Sequence, residues 1–144
     1  MTVTFFGHAD TPREVEPLLE ATLRDLIEHH GATLFYVGDK GNFDHMVRVQ
    51  LRRLAQEYPH IRFETVLAYM PGKKQAFDDE DTSDTIFPEG LERVHPRYAI
   101  ASRNRWMVEQ SDTVVAYVSR QVGGAAQFTA LARKKGKRII NLSE

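Results

Sequence analysis

The residues best placed to do chemistry stand at three junctions between apolar runs and helix-period segments. Gly123-Gly124-Ala125 follows the most apolar run of the chain, Val114-Val115-Ala116-Tyr117-Val118, and opens a helical pattern. Glycines there let a ligand approach the first amides of a helix, which have no carbonyl to bond, and the positive helix end favours an anion. A phosphate is the ligand such a turn would take; a tight strand-to-helix connection with no ligand is the plainer alternative. Gly7-His8-Ala9-Asp10 ends the first apolar run. His8 titrates near neutrality, so it suits contact with a phosphate or transfer of a proton, and Asp10 suits either acid–base work or a cap. Gly38-Asp39-Lys40-Gly41-Asn42-Phe43-Asp44 is the third junction. Asp39 and Asp44 are candidates for ligand contact, Asp44 also for catalysis, with helix capping as the other role. A calcium loop of the EF-hand type would need glycine sixth and glutamate twelfth, where Asp44 and Gln50 stand.

Arg103 shares a helical face with Ile100 and Met107, where a solvated guanidinium would be out of place, so it is expected to meet a carboxylate or a ligand phosphate. Asn104 beside it, and Ser119 in the loop that precedes the glycine pair, complete the expected binding set. Arg97 and Arg105 are expected to join Arg103 in a basic cluster. Neither GxxxxGK[ST] nor GxGxxG occurs, which counts against a Walker NTPase and a dinucleotide dehydrogenase. Cysteine is absent and the six histidines lack paired ligand spacing with acidic partners, so thiol chemistry is excluded and neither a metal nor another cofactor is expected. Arg133-Lys134-Lys135 and Lys137-Arg138 fall at a helix end, where cations complement the dipole. With a net charge of −1 as well, nucleic acid is not expected as a partner.

These residues need elements to hold them. Apolar, β-branched and aromatic runs at residues 3–6, 33–37, 63–68, 113–118 and 138–141 read as strands, and helix-period segments lie between them. Val15, Leu18, Leu19, Leu23, Leu26 and Ile27 form one stripe after Thr11, although Pro17 sits too deep for Thr11 to cap a continuous helix. A second helix begins near residues 42–44 and stops at Pro59, a third spans 97–110, and a fourth starts at Gly123-Gly124. Residues 70–96, punctuated by Pro71, Gly72, Pro88, Gly90 and Pro96 and carrying Asp78-Asp79-Glu80-Asp81, read as a long loop. The whole, 1–144, is one α/β domain: a mostly parallel five-stranded sheet in the order 3-2-1-4-5, which makes strands one and four neighbours and places a crevice between the loops after them. The longest apolar stretches, about six residues, are far short of the ~20 a membrane helix needs, and no basic leader opens the chain, so a cytoplasmic protein is expected.

Gly7-His8-x-Asp10-Thr11-Pro12, Phe35-Tyr36-Val37-Gly38, Tyr58-Pro59-His60-Ile61, Ser83-Asp84-Thr85-Ile86-Phe87-Pro88, Arg103-Asn104-x-Trp106-Met107 and Gly123-Gly124-Ala125 together resemble a small bacterial protein of the SLOG superfamily, to which DprA and the Lonely Guy enzymes belong. The resemblance covers nearly the whole chain and implies a Rossmann-like three-layer sandwich with a site for a nucleotide or a nucleotide derivative. Arg103 and Met107 match the arginine-bearing helix of Lonely Guy enzymes, and Gly123-Gly124 matches the glycine pair of their PGGxGTxxE motif. Val122 replaces the proline, Ala126-Gln127 replaces Gly-Thr, and Ala130 stands where the glutamate should be. The expected function is therefore binding of a nucleotide-like small molecule. An N-glycoside hydrolase or transferase acting on nucleoside monophosphates, with Asp10, Asp39 or Asp44 replacing the glutamate, is one alternative; a scaffold that docks partners through the acidic residues 78–84 is another. Because related folds often pair through helices, a homodimer belongs to the same set of expectations.

Overall fold

The computed structural model describes residues 1–69 and 85–144. Six parallel strands form one sheet: β1 (Thr2–Gly7), β2 (Leu34–Val37), β3 (Arg62–Val66), β4 (Thr85–Ile86), β5 (Thr113–Tyr117) and β6 (Arg138–Asn141), in the order β4-β3-β2-β1-β5-β6. The helices α1 (Glu16–His29), α2 (Gly41–Glu57), α3 (Ala99–Gln110) and α4 (Gly124–Lys134) cover its two faces. Alternation along the strands divides the core. Val3, Phe5, Phe35 and Val115 pack with Leu19, Leu23, Val47 and Leu51 of α1 and α2, while Phe6, Val66, Val114 and Ala116 pack with Met107 and Phe128 of α3 and α4. From Val114 to Ala116 β5 is wholly apolar and buried, as a central parallel strand covered on both faces must be. The architecture is Rossmann-like.

The expected order of five strands is present as β3-β2-β1-β5-β6, with β4 as a sixth at the edge beyond β3. β4 pairs through Thr65↔Thr85 and Val66↔Ile86, so the expected loop at 70–96 contains a strand, followed by a short 3-10 turn at Leu91–Arg93. Two residues are too few to show a period, and Pro88 close behind reads as a breaker. The acidic run at 78–81, and with it the whole docking segment assigned to 78–84, lies outside the described residues.

Thr11 does not cap α1. Its hydroxyl donates to the His8 carbonyl at 2.6 Å, a 3-10 turn occupies Arg13–Val15, and α1 starts only at Glu16. Pro17 therefore falls in the first turn, where its missing N–H leaves no bond unmade. The chain departs from β1 to one face and from β5 to the other, with Gly7 paired to Tyr117. The loops after these two strands part above that pair, and the cleft between them is the switch point of the sheet.

Candidate functional site

The cleft has a volume of about 470 Å³, and Gly7, His8, Lys40, Arg103, Arg120 and Gly124 are among its walls. On one side the β5–α4 loop turns through Gly123, whose φ of 96° lies in the left-handed region that favours glycine. No side chain caps α4 and its first turn carries no acidic residue. The first bond of the helix runs from the Gln127 amide to the Gly123 carbonyl at 3.1 Å, so the amides that open the helix lie beyond reach of its own carbonyls. This is the uncapped, positive end of a helix at the edge of a cleft.

Two loops make the opposite side, and each is held by a carboxylate or an imidazole. The His8 amide donates to the Tyr117 carbonyl at 3.3 Å, and the Ser119 amide donates to His8 Nε2 at 3.1 Å. His8 thus joins the loops after β1 and β5. Burial and the nearby Arg120 charge hold its pKa below the ordinary histidine value against the opposing pull of Asp10, in keeping with a neutral ring whose Nε2 accepts. Asp44, in the first turn of α2, accepts from the Lys40 amide at 3.1 Å. Burial pushes its carboxyl up to about 6, against that hydrogen bond and the charges of Arg103 and Arg48.

Arg103 is 2% exposed. Its Nη1 donates to Asp39 Oδ1 and to the Val66 carbonyl, both at 2.9 Å, and its Nε donates to Asn104 Oδ1 at 2.7 Å. The carboxylate expected for it is therefore Asp39, although Arg103 still reaches the cleft wall. Arg120 meets Asp10 through two hydrogen bonds, Nη2 to Oδ1 at 2.9 Å and Nη1 to Oδ2 at 3.3 Å. Phe5, Phe6 and Met107 give the cleft an apolar floor, and Ile100 and Val122, 39% and 67% exposed, stand among its lining residues.

Of the expected site residues, Gly7, His8, Asp44, Arg103, Asn104, Gly123, Gly124 and Ala125 line this cleft. Asp10, Gly38, Asp39 and Ser119 support residues that do: Asp39 anchors Arg103, Asp10 holds Arg120, Ser119 fixes His8, and the missing Cβ of Gly38 leaves room for Asp44 Oδ2 and Arg103 Nη1. The expected basic cluster is dispersed. Arg105 lines a separate groove with Trp106 and Glu109, because helix positions two apart point about 200° from each other, and Arg97 stands in a 3-10 turn before α3 and lies over the Tyr98 ring. Sequence reasoning misses Lys40 and Arg120. Their signal is position alone, each standing in a loop that follows a parallel strand.

An aromatic rim adjoins the cleft at Lys40. The Lys40 ammonium lies 6.0 Å from the Tyr69 ring, the Tyr69 hydroxyl donates to the Pro96 carbonyl at 3.0 Å, and the His95 and Tyr98 rings are 6.1 Å apart. Tyr69 and Tyr98 are 43% and 57% exposed. A larger groove, about 800 Å³, lies between α1 and α2, but it mixes Arg13 and Arg53 with Glu14, Glu16 and Glu20 and contains none of the expected site residues. Among the described residues no group of three or more acidic or histidine side chains is arranged to hold a metal, and no helix is long and apolar enough to cross a membrane.

No protein-family model and no curated protein sequence matches the chain. Solved structures do. DNA processing protein A from Helicobacter pylori superposes with a TM-score of 0.65 at 14% identity over 96% of this chain, and DprA from Streptococcus pneumoniae with 0.67 at 13% over 96%. The chain shares the DprA fold. It spans 63% of the first of these chains and 48% of the second. The H. pylori protein is described by its single-stranded DNA binding mode. That finding corrects the expectation that nucleic acid is not a partner. Net charge is a property of the whole surface and does not decide what a local groove on this fold accepts.

Proposed function

We propose that the chain binds a phosphate-bearing nucleotide in the cleft between β1 and β5, with the phosphate at the Gly123-Gly124-Ala125 turn. The observation that carries this reading is the uncapped start of α4 opening onto a cleft that also holds Lys40, Arg103 and Arg120. Backbone amides and a helix end bind an anion without a dedicated motif, and guanidinium groups nearby add charge-assisted bonds. The apolar floor suits the rest of a nucleotide.

The test is calorimetric titration with AMP, ADP and ADP-ribose. A Cβ added at Gly124 would meet open space on an unstrained backbone, so Gly124→Ala is expected to bind normally, whereas Gly124→Asp sets a carboxylate at the helix end and abolishes binding. Equal binding by wild type and Gly124→Asp would remove the phosphate from this turn.

A second form of the same reading has the nucleotide carried on a single strand of DNA. The fold shared with the H. pylori protein and the Tyr69–Tyr98 rim both favour it, since exposed aromatic rings flanked by cations stack unpaired bases. Tyr98→Ala is then expected to weaken oligothymidylate about tenfold, from a stacking contribution of ~1–3 kcal/mol, and to leave AMP unchanged by fluorescence competition. Cleavage of an N-glycosidic bond has less support: Asp10 and Asp39 are tied to arginines and Asp44 holds a helix start. Release of free base from AMP, lost in Asp44→Ala, would promote it.

A further inference from the structure

The cations of the cleft are already engaged, and one engagement stands apart from the others. Arg103 Nη1 is shared between Asp39 and the Val66 carbonyl in the interior, and the Lys40 ammonium stands 3.9 Å from Asp39. Both contacts use Asp39, whose side chain keeps only 26% exposure behind the wall. Arg120 instead lines the cleft in the same loop as Gly123 and Gly124, and it holds Asp10, which is not part of the lining, by two parallel hydrogen bonds at the surface. The pair is 50% and 70% exposed.

This pair is not needed to join the two loops. They are already tied by the His8 amide to the Tyr117 carbonyl at 3.3 Å and by the Ser119 amide to His8 Nε2 at 3.1 Å, bonds that do not pass through either charged side chain. The fork that a guanidinium presents to a carboxylate is the fork it presents to a phosphate, so Asp10 occupies Arg120 in the way a ligand phosphate would. Exchange is easy, because an exposed ion pair holds its partners by no more than about fivefold.

We propose that Asp10 is a competing internal anion, which holds Arg120 when the cleft is empty and yields it to the phosphate of the incoming nucleotide. The inference rests on the phosphate site proposed above. Asp10 thereby sets a threshold: a weakly charged or neutral ligand leaves the latch closed, and a phosphate monoester or diester opens it. Asp10 is a positioning residue, since it acts through Arg120.

The experiment is a double-mutant cycle read by calorimetry with AMP and with a 5′-phosphorylated oligothymidylate of about ten nucleotides. Asp10→Asn is expected to tighten both probes about threefold to fivefold, Arg120→Ala to weaken them about tenfold, and Asp10→Asn added to Arg120→Ala to change nothing further. The gain of affinity is the decisive reading, because loss of a merely structural contact does not tighten binding. Melting temperature for Asp10→Asn should stay within about 2 °C of wild type, as expected for an exposed pair. If wild type binds and Asp10→Asn binds equally or more weakly, the latch is refuted while the phosphate site stands. If Asp10→Asn tightens the probes as much in the Arg120→Ala background, simple charge removal is the cause and the latch is again refuted. If neither wild type nor Asp10→Asn binds either probe, the phosphate site falls and the latch with it.

Discussion

Arg103 owes its place to Asp39, Asn104 and the Val66 carbonyl, which together take up three hydrogen bonds of a guanidinium almost removed from water. Taking away one partner of such an arrangement leaves the others unpaired. Arg103→Met is therefore expected to cost about 2–3 kcal/mol in urea unfolding, below the usual 3–5 kcal/mol for a buried pair because Asp39 keeps 26% exposure and water can solvate it. Asp44 gives a prediction of opposite character. Its carboxyl rises from 3.8 to about 6 on folding, so between these values the folded state binds more protons than the unfolded one, and stability falls as pH rises through that window. Asp44→Asn retains an oxygen for the Lys40 amide and carries no charge. The stability of the variant relative to wild type should thus increase by roughly 2 kcal/mol from pH 4 to pH 6 and level off above about pH 7. A relative stability that stays flat or falls over this range would show that Asp44 is ionised at no cost. The residue types were legible in the sequence, which placed Arg103 against a carboxylate or a phosphate. Their partnerships were not, because Arg103 and Asp39 lie 64 positions apart and several carboxylates were available.

The loops after β1 and β2 lock into each other at the element scale. The Asn42 amide donates to the Ala9 carbonyl at 2.9 Å, and the fully buried Phe43 of α2 lies against Gly7, where a Cβ would overlap its ring. Phe43 is enclosed and cannot give way. Gly7→Ala is expected to destabilise the chain by about 1–3 kcal/mol in thermal melts. Full stability in Gly7→Ala would mean that α2 shifts freely against β1. Most elements could be read directly: the stripe of α1, the apolar run of β5 and the glycine pair before α4 are local patterns with a period or a punctuation mark. β4 could not, since its assignment depends on hydrogen bonds to β3 and not on any pattern of its own.

A net charge of −1 describes the molecule as a whole, yet the cleft gathers Lys40, Arg103, Arg120 and the uncapped end of α4 at the carboxyl ends of the central strands. Binding of an oligonucleotide there should weaken with salt, with a log–log slope of only about −1 to −3, as expected when a few phosphates are neutralised rather than a long backbone tract. A much steeper slope would point to a second basic surface. What the sequence determined by itself was the alternation of strands and helices, the reversal of strand order before β5, and the glycine turn that makes an anion site chemically reasonable. These follow from hydrophobic period and from backbone geometry, both of which act over a few residues. Only the tertiary structure decided that His8 ties to Ser119 across 111 positions, that Arg120 is held by Asp10 across 110, and that Arg97 and Arg105 leave the site to Arg103. Those outcomes depend on which strand ends the sheet sets side by side, and on which few polar groups then find each other within hydrogen-bond reach.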